Sequence, residues 1–175
     1  SSAASDVYKR QVVLDKDGNE IANLSGEENR TVVSKEEMPE YLPKAFVSIE
    51  DERFYQHHGV DLKRTTAAIL SFVTHFGKST TGGGSTITQQ LAKNIYFTQE
   101  KKITRKIAEV FMVFEIEKEY DKNQILELYL NTSYFGDGYY CVAEASRGYY
   151  KKEPKDMNRN EASMLAGIPN APSAY

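Results

Sequence analysis

Glu50, Arg53, Phe54 and His57 place a carboxylate, a guanidinium, an aromatic ring and an imidazole in one short stretch of the chain. Helical spacing predicts that Leu42, Ala45, Phe46 and Ile49 form an apolar stripe, with Val47, Glu50, Phe54 and His57 on a neighbouring one. A ring and an imidazole beside Glu50 would strip water from its carboxylate and favour the protonated form, the direction a general base needs. The same Glu-Asp-Glu run also suits the solvated end of an amphipathic helix, and the local residues do not separate the two readings.

A second set follows a glycine-rich approach, Gly82-Gly83-Gly84. Ser85 or Thr86 is expected to cap a helix there, and the first amides of a helix carry positive partial charge. Thr86, Gln90, Lys93 and Asn94 fall on one face of it, and Ile87, Leu91 and Ile95 on another. A helix start with a lysine one or two turns on makes an anion cradle, although an ordinary amphipathic surface helix has the same pattern. In the third set, Arg105 and Lys106 offer charge for phosphate oxygens, with Glu109 to orient them or hold a divalent cation. The bland alternative is an exposed Arg105–Glu109 pair worth about 0.3–0.5 kcal/mol. The run Gly77-Lys78-Ser79-Thr80 imitates a nucleotide-binding loop but fails, because Phe72 stands where the required glycine would be.

Several elements must position these groups. Gln11–Leu14 and Glu20–Leu24 read as two strands around an Asp-Gly turn, a short N-terminal β hairpin. Ser34 to Pro39 reads as a capped turn, and Pro43 suits the first turn of a helix running through Tyr55 and ended by Gly59. Leu62 to Phe76 is apolar on more than one side; core burial is the expectation, and contact with a lipid interface the alternative. Ile103, Ile107, Val110, Phe111 and Phe114 are expected to mark the core stripe of the next helix, with Glu109 off it. Further helices are expected over Asp121–Asn131, whose job is packing, Ala143–Tyr149 and Asn160–Ile168.

The 175 residues suit a single domain with a proper core. A formal net charge of −3 gives no case for nucleic acid, so any anion site must be local. The single cysteine, Cys141, excludes an internal disulfide. No apolar run approaches the roughly 20 residues needed to span a bilayer, and no signal-peptide pattern opens the chain.

Taken in order, Glu50-Asp51-Glu52-Arg53-Phe54-Tyr55-Gln56-His57-His58-Gly59, Gly83 to Asn94, Arg105-Lys106-Ile107-Ala108-Glu109, Ile125 to Asn131 and Glu161 to Pro172 form a specific series. The series resembles the peptidoglycan glycosyltransferases of glycosyltransferase family 51, found in class A penicillin-binding proteins and monofunctional transglycosylases. The resemblance covers about Pro39 to Tyr175.

It implies a mainly α fold: a lysozyme-like helical large lobe with a small membrane-facing jaw lobe at about 62–81. A linker and hairpin over 1–34 would precede a glycosyltransferase domain over 35–175, lacking the family's later helices. The implied reaction polymerises lipid II into β-1,4-linked glycan with inversion, releasing undecaprenyl diphosphate. Glu50 would be the general base and Glu109 a second catalytic carboxylate. Asp51, Phe54, His57, Ser85, Thr86, Gln90, Lys93, Asn94, Arg105 and Lys106 would bind substrate. No cofactor is required, and a divalent cation, Mg or Mn, could sit at the diphosphate through Glu109. The implied partners are lipid II, the growing lipid-linked glycan, the membrane surface and other cell-wall synthesis and division proteins, with no nucleic acid. The implied location is the outer face of the bacterial cytoplasmic membrane, with an N-terminal transmembrane anchor. A lysozyme-like muramidase or lytic transglycosylase and a non-catalytic lipid II or glycan-binding module are the alternatives. The segments Gly138-Tyr139-Tyr140-Cys141-Val142 and Tyr149-Tyr150-Lys151-Lys152 depart from the small residues and Tyr-Phe-Gly-Lys ending usual in the family.

Overall fold

The structure is a computed structural model that describes residues 12–14, 20–23, 32–74, 84–95 and 103–169; of 12–14, 20–23, 72 and 103–105 it describes the backbone alone. Two strands, β1 (Val12–Leu14) and β2 (Glu20–Asn23), pair antiparallel, with Val13 opposite Ala22 and a register shift that sets Leu14 opposite Glu20. The Asp-Gly turn expected between them lies outside the described residues. Every other regular element among the described residues is helical, and the fold is mainly α.

Seven α-helices follow among the described residues: α1 (Tyr41–Glu50), α2 (Leu62–Thr74), α3 (Ile87–Ile95), α4 (Ile103–Glu119), α5 (Lys122–Thr132), α6 (Val142–Ala145) and α7 (Arg159–Ala166). Their starts are fixed locally. Asp121 accepts from the Gln124 amide while the Gln124 side chain accepts from the Asp121 amide, and Asn158 and Glu161 do the same for α7. Pro43 sits in the first turn of α1, where its missing N–H would have had no helical partner.

α3 packs against both α4 and α5, and α1 packs on α7. Leu42, Phe46, Leu91, Ile116, Ile125, Leu128, Tyr129 and Leu165 are fully buried between them. Phe46 meets Tyr129 and Phe135 edge-on, with ring centroids 6.0 and 5.9 Å away.

Three expectations are corrected here. α1 stops at Glu50 rather than running through Tyr55: at Asp51 the backbone turns to φ −161°, ψ 75°, and 52–56 form turns. The reason is that the Asp51 side chain is used elsewhere, as the next subsection describes. α2 is not a core helix, since Leu62, Ile69, Leu70 and Val73 are all exposed. On α4 the stripe of Ile107, Val110, Phe111 and Phe114 faces out, Phe111 being 68% exposed, while Met112, Val113 and Ile116 turn into the core. A helix with two apolar faces can bury only one against a single neighbour, and here α3 takes the other face.

The unusual segment after α5 is internally compensated. A Cβ at Gly148 would overlap the ring of Tyr139, so the glycine makes room for the large residue. The Tyr149 hydroxyl donates to the Phe135 carbonyl at 2.7 Å.

The residues ahead of α1 are strapped to α5. The amide of Val33 donates to Asn131 Oδ1 at 2.9 Å, and Asn131 Nδ2 donates back to the Val33 carbonyl at 2.8 Å. On α5, Glu127 is pushed up to about 7, by burial first and then by the charges of Glu36 and Glu37 on the strap. An acid that holds its proton more tightly folded than unfolded makes stability fall as pH rises, here from about 4.5 towards about 7. Melting temperatures taken at about pH 5 and about pH 8 should therefore differ less in Glu127→Gln than in the parent. Equal differences would show that Glu127 does not titrate in this window.

Candidate active site

The loop after Glu50 folds back on itself and onto the start of α3. Glu50 is the last residue of α1 and is 2% exposed. Asp51 Oδ2 accepts from His57 Nε2 at 2.6 Å and from the Ile87 amide, the first of α3, at 3.0 Å. His57 Nδ1 in turn accepts from the Gly59 amide at 3.0 Å. An imidazole nitrogen that accepts from an N–H carries no proton, so His57 is the Nε2–H tautomer and donates to Asp51. Gly59 completes the connection by accepting from the Thr86 hydroxyl at 2.6 Å.

Thr86, rather than Ser85, is the cap of α3. Its hydroxyl accepts from the Gln89 amide at 3.1 Å, and the Gln89 side chain accepts from the Thr86 amide at 2.8 Å. Thr88 donates to Glu117 Oε1 at 2.7 Å, and Lys122 pairs with the same oxygen at 2.8 Å. The Lys122 ammonium also lies 4.6 Å over the ring of Phe54. The start of α3 is thus bound to the loop after Glu50 on one side and to α4 on another.

From that anchored helix Gln90 reaches the carboxylate, donating from Nε2 to Glu50 Oε2 at 3.3 Å. The Tyr129 hydroxyl donates to Gln90 Oε1 at 2.9 Å. Burial, then the charge of Glu50, holds the Tyr129 phenol far above its ordinary range, so it stays protonated and a donor. Arg64 of α2 donates to the Glu50 carbonyl at 2.5 Å. Arg53 pairs with Asp61, which also accepts from the Arg64 amide at the start of α2. Asp51, Arg53, Asp61 and Arg64 line a cleft of about 270 Å³ beside this turn.

The expected site residues therefore divide. Glu50 and Gln90 touch, and Lys93 and Asn94 follow Gln90 by one turn of the same helix, roughly 5 Å along its axis. Lys93 is exposed, and Asn94 Nδ2 donates to Ser133 Oγ at 3.3 Å. Ser85 stands exposed just before the helix. Asp51, Phe54 and Thr86 have essentially no exposed surface, and the His57 side chain very little, so these four support the geometry from behind rather than offering a free face. His57, expected beside Glu50, is bound to Asp51 instead. On α4, Lys106 is exposed and Glu109 partly so; Glu109 lies on the same side as Met112, Val113 and Ile116, the side that faces α3. The Arg105 side chain lies outside those described. Among the described residues no three His, Cys, Asp or Glu side chains gather to hold a metal ion, and no step is assigned to one.

Sequence reasoning missed Tyr129 and Arg64. Its spacing gives Tyr129 a packing role, and the usable signal is its hydroxyl, which a buried tyrosine must satisfy.

The family model described as Transglycosylase matches residues 17–175. Penicillin-binding protein 1F of Bacillus subtilis (strain 168) is 46% identical over 163 residues, covering 93% of this chain and 22% of that protein. Penicillin-binding protein 1A of Clostridium perfringens (strain 13 / Type A) is 43% identical over 166 residues, covering 94% of this chain and 24% of that protein. A monofunctional glycosyltransferase of Staphylococcus epidermidis is 43% identical over 163 residues, covering 89% of this chain and 60% of its own length. The chain thus spans only part of the curated relatives it matches.

Proposed function

Since the chain belongs to the transglycosylase family, we propose that it is a peptidoglycan glycosyltransferase that extends a lipid-linked glycan with lipid II, and that Glu50 is its base. The observation that carries this reading is a buried carboxylate held by Gln90 on the helix that also presents Lys93 and Asn94. Glu50 takes the proton of the acceptor's 4-hydroxyl as that oxygen attacks the anomeric carbon of the donor from the face opposite the leaving group. The bond to the diphosphate breaks, the configuration inverts, and undecaprenyl diphosphate departs with the negative charge. An alkyl hydroxyl is a poor nucleophile near neutral pH and a diphosphate a poor leaving group without cations, so the base and the cations do different work. Lys93, Arg105 and Lys106 are assigned to the diphosphate, with Glu109 orienting them as the second catalytic carboxylate. Ser85, Gln90 and Asn94 border the donor, and Thr86 caps the helix that carries Gln90 and Asn94. Asp51, Phe54 and His57 set the loop that carries Glu50.

Membrane contact belongs to the same proposal. The exposed apolar residues of α2 and of the outer face of α4 suit a lipid surface, and they are the feature that burial against protein leaves unexplained. No described helix is long and apolar enough to cross a membrane. The outer face of the cytoplasmic membrane is the place where lipid II and such a surface would meet.

Incubation with lipid II and with finished glycan tests the reading. Growth of polymer from the first supports it; soluble muropeptides released from the second would make the protein a hydrolase, and binding without turnover a recognition module. Lys93→Ala should weaken donor binding about 10- to 100-fold, as expected for one charge-assisted contact to phosphate. Titration of lipid II into a Glu50→Gln background reads this without turnover, and an unchanged affinity would remove Lys93 from the donor site.

A further inference from the structure

Given the base assigned above, on which this inference rests, we infer that Tyr129 is a positioning residue that acts through Gln90, orienting its amide so that the N–H end faces Glu50. Three observations join. The Tyr129 hydroxyl donates to Gln90 Oε1 at 2.9 Å, Gln90 Nε2 donates to Glu50 Oε2 at 3.3 Å, and Gln90 Nε2 also lies 3.4 Å from the Ser85 carbonyl. The two ends of a glutamine amide have the same shape and opposite hydrogen-bonding character, so neighbours alone decide which end points where. Tyr129 is fully buried with its proton retained, so its O–H is available to hold Gln90 Oε1, while the ionised Glu50 carboxylate and the Ser85 carbonyl, which can only accept, take the Nε2 end. The shortest of the three contacts is the one Tyr129 makes, and the Ser85 carbonyl belongs to the exposed turn before α3.

The consequence is electrostatic. An N–H donated to a carboxylate favours its ionised form, whereas an amide oxygen turned towards it favours the protonated one. The groups around Glu50 come from each packed element: Tyr129 from α5, Gln90 and then Lys93 from α3, Arg64 from α2 on the Glu50 carbonyl, and the Asp51–His57 pair from the following loop. Of these, Gln90 can reverse its effect by rotating about a single side-chain bond, which makes it the group that needs a restraint.

The test compares Tyr129→Phe, Gln90→Leu and the double variant in this chain. Turnover of lipid II is followed across pH, and the carboxyl carbon resonance that vanishes in Glu50→Gln is titrated by NMR. Tyr129→Phe should move the acidic limb and the resonance midpoint upward by roughly half a unit to one unit, with melting temperature little changed. Gln90→Leu should shift them at least as far, and the double variant no further than Gln90→Leu, because a residue acting only through another adds nothing once that other is gone. An unmoved midpoint in Tyr129→Phe, or shifts that add in the double variant, would overturn the inference. Gln90→Leu removes only a partly exposed amide, so it still reads the contact to Glu50 should Tyr129→Phe fold poorly. The NMR midpoint needs no turnover, so failure of the proposed activity and failure of the relay give different results.

Discussion

Glu50→Gln should reduce polymer formation from lipid II by at least about 100-fold, the lower end of what a positioned general base contributes. The substitution keeps the volume of a side chain that is 2% exposed, and the new amide oxygen can still accept from Gln90 Nε2. What it loses is the capacity to take a proton at the oxygen facing the acceptor. Donor affinity should stay within about twofold of the parent, because Lys93 and its neighbours on α3 are untouched. The separation of turnover from binding identifies a base, whereas a packing defect would lower both together. Polymerisation at the parental rate would show that another group takes the proton.

The second large effect is structural. Gly59 has φ +101°, and an added Cβ would lie 2.6 Å from Val113 Cγ1 and 3.0 Å from Glu117 Cγ. Gly59→Ala should therefore cost about 3–5 kcal/mol, combining backbone strain with overpacking against α4. Against a typical total of about 5–15 kcal/mol that is enough to lower the denaturation midpoint severely. Gly138 supplies the comparison, since it also has positive φ, +81°, but nothing lies within 4 Å of an added Cβ. Gly138→Ala should lose only the conformational part, about 1–2 kcal/mol. Denaturant titration of both variants separates strain from collision, and equal losses would mean that α4 yields to the extra methyl. The damage at Gly59 should also reach activity, because its amide and carbonyl hold His57 and Thr86.

Much of the helical content could be read locally. Asp121 with Gln124 and Pro43 near the start of α1 are short-range signals, and the structure uses them as such. The glycine before the second set and the Thr86 cap follow the same logic. The pairing of Glu50 with Gln90 is not local: the two residues stand 40 positions apart, and only the resemblance to a family implies that they share a site. Tyr129 was invisible for a related reason. A tyrosine in an amphipathic helix gives no sign of which distant side chain its hydroxyl will meet.

The order of helices, their starts and the identity of the residues able to do acid–base and anion chemistry were determined by the sequence itself, because capping and periodicity depend on neighbours a few positions away. Tertiary structure alone decided that α1 stops at Glu50, that Asp51 and His57 turn inward to hold α3, and that the Ile107–Phe114 stripe faces outward. Those outcomes turn on competition between surfaces far apart in the chain, as when Val33 finds Asn131 across 98 positions. A helix with two apolar faces does not encode which one a neighbour will cover, and an aspartate does not encode whether water, an imidazole or a helix start will claim its oxygens.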